Sequence, residues 1–188
     1  MSGSLAYRQA EPRDMQFVIS SWVDAYRTAH AAGLIPMPHW DRQMRENLAW
    51  VLARLGAETW VAFHPGELDP RADLYGYIVV ERDVSVPSRM RESVGGKTQW
   101  VENLAPAGCP LVHWIFVKQA YRRNGIARGL FRVARIDLGE RFLFTCKTGL
   151  SSQLERRLAP RAQWTPLVAR YPKTAAPAPV GINLGPYG

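Results

Sequence analysis

The spacing of hydrophobic residues predicts two amphipathic helices near the start of the chain. After a short alternating strand at Leu5–Gln9, apolar residues recur every three or four positions over 14–30 and again over 40–55. This spacing is typical of helices that bury one face. Helix-breaking residues are expected to end the two helices: Gly33, Pro36, Pro38 and Gly56.

The pattern then becomes extended. Runs of β-branched and aromatic residues at 59–63 and 74–81 flank a turn-rich segment, which predicts an antiparallel hairpin. Residues 83–110 contain three prolines and three glycines, and their hydrophobic positions follow no sustained helical or strand period. We expect them to form a long loop insertion with, at most, one short strand at 98–101.

Strands and helices alternate in the rest of the chain. The pattern predicts a strand over 111–118, a helix over 125–138, a strand over 141–147, a short helix over 150–158 and a last strand over 163–169. Because one helix joins the strands at 111–118 and 141–147, they are expected to be parallel with a right-handed crossover. The prediction is one α+β domain over 1–171, followed by a Pro/Gly-rich tail over 172–188.

Composition narrows the class of protein. A chain of 188 residues with 47% hydrophobic content can bury the core of one ordinary domain. Its two cysteines are too few for a disulfide framework or a four-cysteine zinc site. The N-terminus is charged and no apolar run approaches the roughly 18 residues of a membrane span. We therefore expect a soluble cytoplasmic protein without a metal or a membrane partner.

The charge is concentrated in one half of the chain. Residues 1–102 carry 11 Lys and Arg against 13 Asp and Glu, whereas residues 103–188 carry 13 against 3. The net charge of +8 therefore arises in the C-terminal half. This asymmetry indicates an anionic ligand or polymer at a surface built there.

A turn rich in arginine and glycine links the strand at 111–118 to the next helix. The first N–H groups of a helix lack internal partners and, together with the helix dipole, attract anions. Gly125 allows an anion to approach the backbone closely. The side chains of Arg122, Arg123 and Arg128 add positive charge. A plain tight turn with solvated arginines is the alternative interpretation. Against it, no acidic residue occurs between 103 and 136.

The segment Arg122-Arg123-Asn124-Gly125-Ile126-Ala127 resembles the acetyl-CoA motif of the GNAT N-acetyltransferase superfamily, Gln/Arg-x-x-Gly-x-Gly/Ala. The resemblance implies a mixed, mostly antiparallel central sheet with helices on both faces and a splayed parallel strand pair. It also implies acetyl-CoA as co-substrate and direct attack of an amine on its thioester. The implied cofactor residues are Ile115 and Val117 beside the pantetheine arm and, at the turn, Arg122, Arg123, Asn124, Gly125, Ile126, Ala127 and Arg128.

The catalytic pair usual in this family is missing. The strand begins Leu111-Val112-His113 without the family's glutamate, and no tyrosine lies between Tyr121 and Tyr171. His113 is the candidate general base, because it has the same strand parity as Ile115 and Val117. Ser151 is the candidate acid for the departing thiolate. A packed structural histidine and a helix-capping serine are the alternatives, and neither Cys109 nor Cys146 is expected to be a nucleophile.

Residues near the junction of the first two helices are candidates for the acceptor pocket, since these helices border the acceptor in the family. Trp22 and Tyr26 have ordinary core spacing, and Trp22 is expected in the core. The acceptor candidates are Arg27, His30, His39 and Trp40.

Two further functions stay open beside acetylation of a small amine or a protein. Parts of the first helix and of the strand 113–118 resemble acetyltransferase-like proteins of tailed bacteriophages, which would place the protein in a host cytoplasm. The basic C-terminal half suits DNA, so a DNA-modification enzyme similar to the phage Mom proteins is one alternative. A nucleic-acid-binding module that has lost its chemistry is the other. The oligomeric state does not follow from the sequence.

Overall fold

The computed structural model describes residues 5–29, 37–54, 56–65, 74–82, 88–94, 97–103, 109–146, 157 and 162–164. In chain order the elements are β1 (Ala6–Gln9), α1 (Met15–Ala29), α2 (Met37–Leu52), β2 (Ala57–Phe63), β3 (Leu74–Glu81), β4 (Ser88–Val94), β5 (Lys97–Asn103), β6 (Leu111–Val117), α3 (Ile126–Val133), β7 (Phe142–Phe144) and β8 (Ala162–Trp164).

Six of these strands form one mixed sheet in the order β1-β2-β3-β6-β7-β8. The pairs β1–β2, β2–β3 and β3–β6 are antiparallel, which confirms the predicted hairpin. The pairs β6–β7 and β7–β8 are parallel. The predicted mixed, mostly antiparallel α+β sheet is therefore confirmed.

Helices cover both faces of the sheet, and β3 shows this best because nearly all its side chains are buried. Tyr77 and Val79 pack in one core cluster with residues of α1 and α2. Ile78 and Val80, which point the other way, pack in a second cluster with residues of α3. Because successive side chains of a strand point to opposite faces, β3 contributes residues to both cores.

The segment 83–110 corrects the prediction of a long loop. It contains β4 and β5, which pair antiparallel as a sheet of their own. In this register Val94 lies opposite Lys97, so the two strands are joined by Gly95 and Gly96. A Gly-Gly pair between extended runs is a common hairpin signal, which the prediction of a loop did not use.

The helix boundaries agree in part with the predictions. The observed α1 confirms the helix predicted over 14–30, whereas α2 begins and ends three residues earlier than the predicted 40–55. The largest error is α3, which stops at Val133 and not at 138. Arg135 adopts a left-handed φ of 52°, and Ile136 N–H reaches back to Phe131 O at 2.9 Å. This C-cap satisfies the last carbonyls and stops the helix.

The remaining strand predictions are confirmed with small changes. β6 ends one residue before the predicted 118, and β7 covers the centre of the predicted 141–147. β8 overlaps the start of the strand predicted over 163–169. Arg157 is helical and lies within the short helix predicted over 150–158. The other residues of those two elements, and the tail, lie outside the described residues. Among the described helices, none combines the length and the apolar character needed to cross a membrane.

Candidate cofactor and active site

The turn between β6 and α3 presents its backbone to solvent. A short 3-10 turn at Gln119–Tyr121 follows the strand, and the Arg122 guanidinium folds back to donate from Nε to Val117 O at 3.1 Å. Arg123 and Gly125 both have positive φ, 69° and 76°. Residues with alternating φ signs turn successive N–H groups toward one side, which forms a concave anion site.

The start of α3 extends this concave site. Gly125 caps the helix without a side-chain hydrogen bond, and the first helical bond runs from Gly129 N–H to Gly125 O at 3.0 Å. The N–H groups of Ile126, Ala127 and Arg128 precede that bond, so they have no partner within the helix. A Cβ added at Gly125 would meet nothing within 4 Å. The predicted anion site therefore has open space beside Gly125.

Five exposed arginines surround the turn and the helix: Arg122, Arg123, Arg128, Arg132 and Arg135. Within the described part of the chain, Arg128 and Arg132 form no ion pair with a carboxylate. Arg128, Arg132 and Arg135 also line an open cleft at the end of α3. The charges of Arg128 and Arg132 are thus available to an anion.

The described pairing of strands β6 and β7 ends at their second residue pair. Their register covers Leu111 opposite Leu143 and Val112 opposite Phe144. At the next position Thr145 donates its N–H to Val112 O at 3.0 Å and its hydroxyl to His113 O at 3.1 Å. Ile115 and Val117 pair with β3, and residues 147–156 lie outside the described residues. His113 therefore follows the last described pair of β6 and β7, a position that we call the vertex, and the splay of the two strands beyond it stays a prediction.

The orientation of the His113 side chain differs from the prediction. The register of β6 against β3 shifts by one residue between Trp114 and Val112, so His113 is the extra residue of a β-bulge. Its Nε2 lies 3.0 Å from Glu81 Oε2. Glu81 follows Tyr77 and Val79 at every second position of β3. Its side chain therefore lies on the same face of the sheet, the one that α1 and α2 cover. The imidazole therefore does not share the side of Ile115 and Val117, because the bulge changes the parity.

Glu81 and Arg54 complete a buried charged group that the sequence analysis missed. The Arg54 guanidinium contacts Glu81 Oε1 through Nε and Nη2, each at 3.0 Å. The His113 side chain is 0% exposed and that of Glu81 5%, whereas Arg54 is 27% exposed. An acidic residue that ends an otherwise apolar strand was the available signal, since such a buried charge needs a partner.

The other predicted site residues are placed only in part. Arg27 is exposed on α1. His39 and Trp40 belong to α2, but their side chains are outside the described residues, as are Ser151 and His30 altogether. Trp22 is 2% exposed and stacks on Trp114 with ring centroids 5.6 Å apart, which confirms its core position.

The cysteines and potential metal ligands form no additional site in the described ranges. Cys109 is buried against Leu111 and Leu143, and Cys146 packs at the edge of the α1 core. Burial raises the pKa of the Cys146 thiol to about 12, so this thiol stays protonated. No three His, Cys, Asp or Glu side chains among the described residues are grouped to hold a metal ion.

Comparison of the whole chain with known proteins supports the topology. No family model matches the sequence, and no curated protein matches it. Among solved structures, a protein from Pyrococcus furiosus whose assignment as an acetyl transferase is provisional matches at a TM-score of 0.54 and 12% identity, over 82% of this chain and 91% of that one.

Two further matches have lower scores. A predicted acetyltransferase from Clostridium acetobutylicum, solved with acetyl-CoA, matches at a TM-score of 0.46 and 16% identity, over 83% of this chain and 89% of that one. An aminoglycoside 6'-N-acetyltransferase from Acinetobacter baumannii matches at a TM-score of 0.44 and 16% identity, over 83% of this chain and 90% of that one. Together, the sheet order and the match to the Pyrococcus structure show that this chain has the fold of the GNAT N-acetyltransferases.

Proposed function

We propose that this protein is an acetyltransferase that moves the acetyl group of acetyl-CoA to an amine acceptor. The observation that carries the proposal is the turn from Arg122 to Ala127. It combines two residues of positive φ, a glycine with open space in front of it and exposed N–H groups at a helix start. In the fold described above, this concave basic site suits a pyrophosphate.

The placement of the co-substrate follows from the same geometry. The N–H groups of residues 123–127 would hold the pyrophosphate, with the guanidinium groups of Arg122, Arg123 and Arg128 around it. The pantetheine arm would lie in the gap between β6 and β7, along the backbone of Ile115 and Val117. The thioester would then reach the vertex of the gap, where His113 lies.

The reaction needs a proton acceptor and a proton donor. The amine nitrogen attacks the thioester carbonyl, the C–N bond forms, and the C–S bond breaks as the CoA thiolate leaves. In this proposal His113 accepts the proton of the amine and Ser151 protonates the thiolate. Arg27, His30, His39 and Trp40 would border the acceptor.

Calorimetry with acetyl-CoA tests the proposal. The double substitution Arg122→Ala/Gly125→Asp removes one cation and adds an anion within the turn, so it should abolish measurable binding. Arg42→Ala, which removes an exposed arginine of α2, is the matched control and should bind as the wild type does. Equal affinity of all three proteins would refute the proposal.

A second candidate function is supported by the arginines of α3. Arg128 and Arg132 are exposed one helical turn apart, and no acid occurs from 118 to 136. Such a surface suits a nucleic-acid backbone, so DNA is a candidate acceptor for a base-modifying enzyme or a ligand for an inactive binding module.

Fluorescence anisotropy with duplex DNA at several salt concentrations separates these functions. If DNA binds here, the affinity falls steeply with salt and Arg128→Ala/Arg132→Ala reduces the slope by about two. Salt-dependent DNA binding without acetyl-CoA binding would select the inactive module. Affinity that does not depend on salt would remove DNA from consideration.

A further inference from the structure

We propose that the open cleft along α3 and the residues after it is a docking site for an acidic peptide segment of a partner protein. The cleft has a volume of about 490 Å³, which lies within the range of about 300 to 1,000 Å³ that is typical of ligand pockets. Exposed arginines form its rim, and buried or half-buried apolar side chains form its floor. The proposal goes beyond acetyl transfer, because Arg128 alone belongs both to this cleft and to the proposed cofactor site.

The rim carries three exposed arginines, Arg128, Arg132 and Arg135. Arg128 and Arg132 lie one helical turn apart on α3, and in the ranges that the structure describes neither forms an ion pair with a carboxylate. Arg135 interacts electrostatically with Glu58, but that carboxylate is already bound by Arg82 Nε at 2.8 Å. The guanidinium groups of the rim can therefore bind added carboxylates, which they hold through paired N–H donors.

The backbone of Arg135 has a conformation that glycine would adopt with less strain. Its φ is 52°, and its N–H donates to Arg132 O at 3.0 Å. Together with the bond from Ile136 N–H to Phe131 O, this is the C-terminal cap in which glycine is the usual residue. The arginine side chain is thus present at a cost in backbone energy, which favours a role for it in binding.

The floor of the cleft and its one aspartate favour a peptide over a nucleic acid. Buried Phe131 and Ile136 and half-buried Leu138 line the floor, which an apolar side chain can cover and a phosphate chain cannot. Asp137 Oδ1 accepts the N–H of Gly139 at 2.7 Å, and its negative charge would repel a run of phosphates. A peptide can offer carboxylates to the arginines, an apolar side chain to the floor and N–H donors to the aspartate.

Charge complementarity favours a partner protein over the C-terminal end of this chain. Residues 147–188 carry six Lys and Arg against one Glu, so their charge does not complement a cleft with an arginine rim. The cleft sets three arginines against one aspartate, and a segment with two carboxylates would balance it. An acidic segment with interspersed apolar residues, supplied by a second protein, matches both the rim and the floor.

Fluorescence anisotropy with the full chain tests the chemistry of the ligand. The probes are fluorescein-labelled hexapeptides of alternating glutamate and leucine, of alternating glutamate and serine, and of alternating lysine and leucine. We expect the first peptide to bind most tightly. The second should bind about 5- to 10-fold more weakly, because it leaves the apolar floor uncovered, and the third should not bind. Equal affinity for the three peptides, or no saturable binding of the first, would overturn the proposal.

Substitution of Arg135 by glycine tests the place of binding. Arg135→Gly removes one cation and relieves the positive φ, so affinity for the glutamate–leucine peptide should fall about 3- to 5-fold while the urea midpoint of unfolding stays the same or rises. Arg132→Ala/Arg135→Gly should weaken the peptide about 10-fold or more, and the exposed Arg42→Ala of α2 should change nothing. Unchanged peptide affinity in the double variant would overturn the proposal.

Two further titrations of the same variants separate this proposal from the functions proposed above. Single-stranded hexathymidylate should bind more weakly than the glutamate–leucine peptide. If it binds more tightly and loses affinity in Arg132→Ala/Arg135→Gly, the cleft takes a nucleic acid and the proposal of a peptide site is wrong. Calorimetry with acetyl-CoA should give the same affinity for Arg135→Gly as for the wild type. The peptide result therefore stands by itself even if the acetyltransferase proposal fails.

Discussion

Strand β6 leads from a buried group of charges at its start to an exposed group of charges beyond its end. At His113 the imidazole is sealed from solvent and held by Glu81 from a neighbouring strand. Past Val117 the arginines of the turn are exposed, and the first N–H groups of α3 have no partner within the helix. The buried charges depend on side chains brought together by the sheet, whereas the turn depends on its own dihedral angles.

This difference determines which property a substitution affects. A buried charge that loses its partner has no water to replace it, so the folded state is destabilised. An exposed charge keeps its water shell, so its loss changes ligand affinity more than stability. Substitutions at the vertex of β6 and β7 should therefore act mainly on stability, and substitutions at the turn mainly on binding.

The largest effect is expected for Glu81→Ala. The substitution leaves Arg54 and buried His113 without the carboxylate between them, which should lower the free energy of unfolding by about 3 to 5 kcal/mol. Urea unfolding followed by circular dichroism measures it. Glu58→Ala is the matched control, because Glu58 and Arg82 are 27% and 29% exposed, and its cost should stay near 1 kcal/mol or below. Equal costs at the two sites would mean that the deeper burial of Glu81 adds nothing to its effect on stability.

A smaller effect, on binding, is expected at Gly125. Asp and Asn have the same shape and both tolerate a left-handed backbone, so each should accept the φ of 76° at this position. Only Asp adds a negative charge before the N–H groups of α3. We expect Gly125→Asp to weaken acetyl-CoA binding by about 10- to 100-fold relative to Gly125→Asn, at similar stability. Calorimetry showing equal affinity would mean that no anion binds at this turn.

The same contrast explains what could be predicted from the sequence. The turn depends on contiguous residues, so the arginines, Gly125 and the order of strand and helix were enough to predict it. The mixed sheet followed from the periodicity of β2, β3 and β6. The partner of His113 could not be predicted in this way. Glu81 is 32 residues away in the chain, and a one-residue bulge turns the imidazole to the face of the sheet opposite Ile115 and Val117. Strand alternation alone assumes that no such bulge exists.

A pH-dependent effect is expected at Cys146, beside the vertex. Burial raises the pKa of its thiol to about 12 from an ordinary value of 9.0. Between these values the unfolded chain loses the proton while the folded chain keeps it, so the contribution to stability is complete below pH 9 and declines as the pH rises toward 12. At pH 10 the loss amounts to about 1.4 kcal/mol. Urea unfolding at pH 7 and pH 10 should show a loss that is about 1.4 kcal/mol larger in the wild type than in Cys146→Ala. Burial also raises the pKa of Tyr77, but that contribution is common to both proteins. An identical pH dependence of the two proteins would contradict the burial of this thiol.

The smallest effect on stability is expected for Arg128→Ala/Arg132→Ala. Both guanidinium groups are exposed and form no ion pair within the described part of the chain. Alanine also has a high helix propensity, so the free energy of unfolding should change by less than about 0.5 kcal/mol. A destabilisation of several kcal/mol, measured by the same urea titration, would mean that these charges are part of the folded framework and are not held available for a phosphate. A small change together with weaker binding of acetyl-CoA or DNA would place both residues with the turn, since their charge would then act on a ligand and not on the fold.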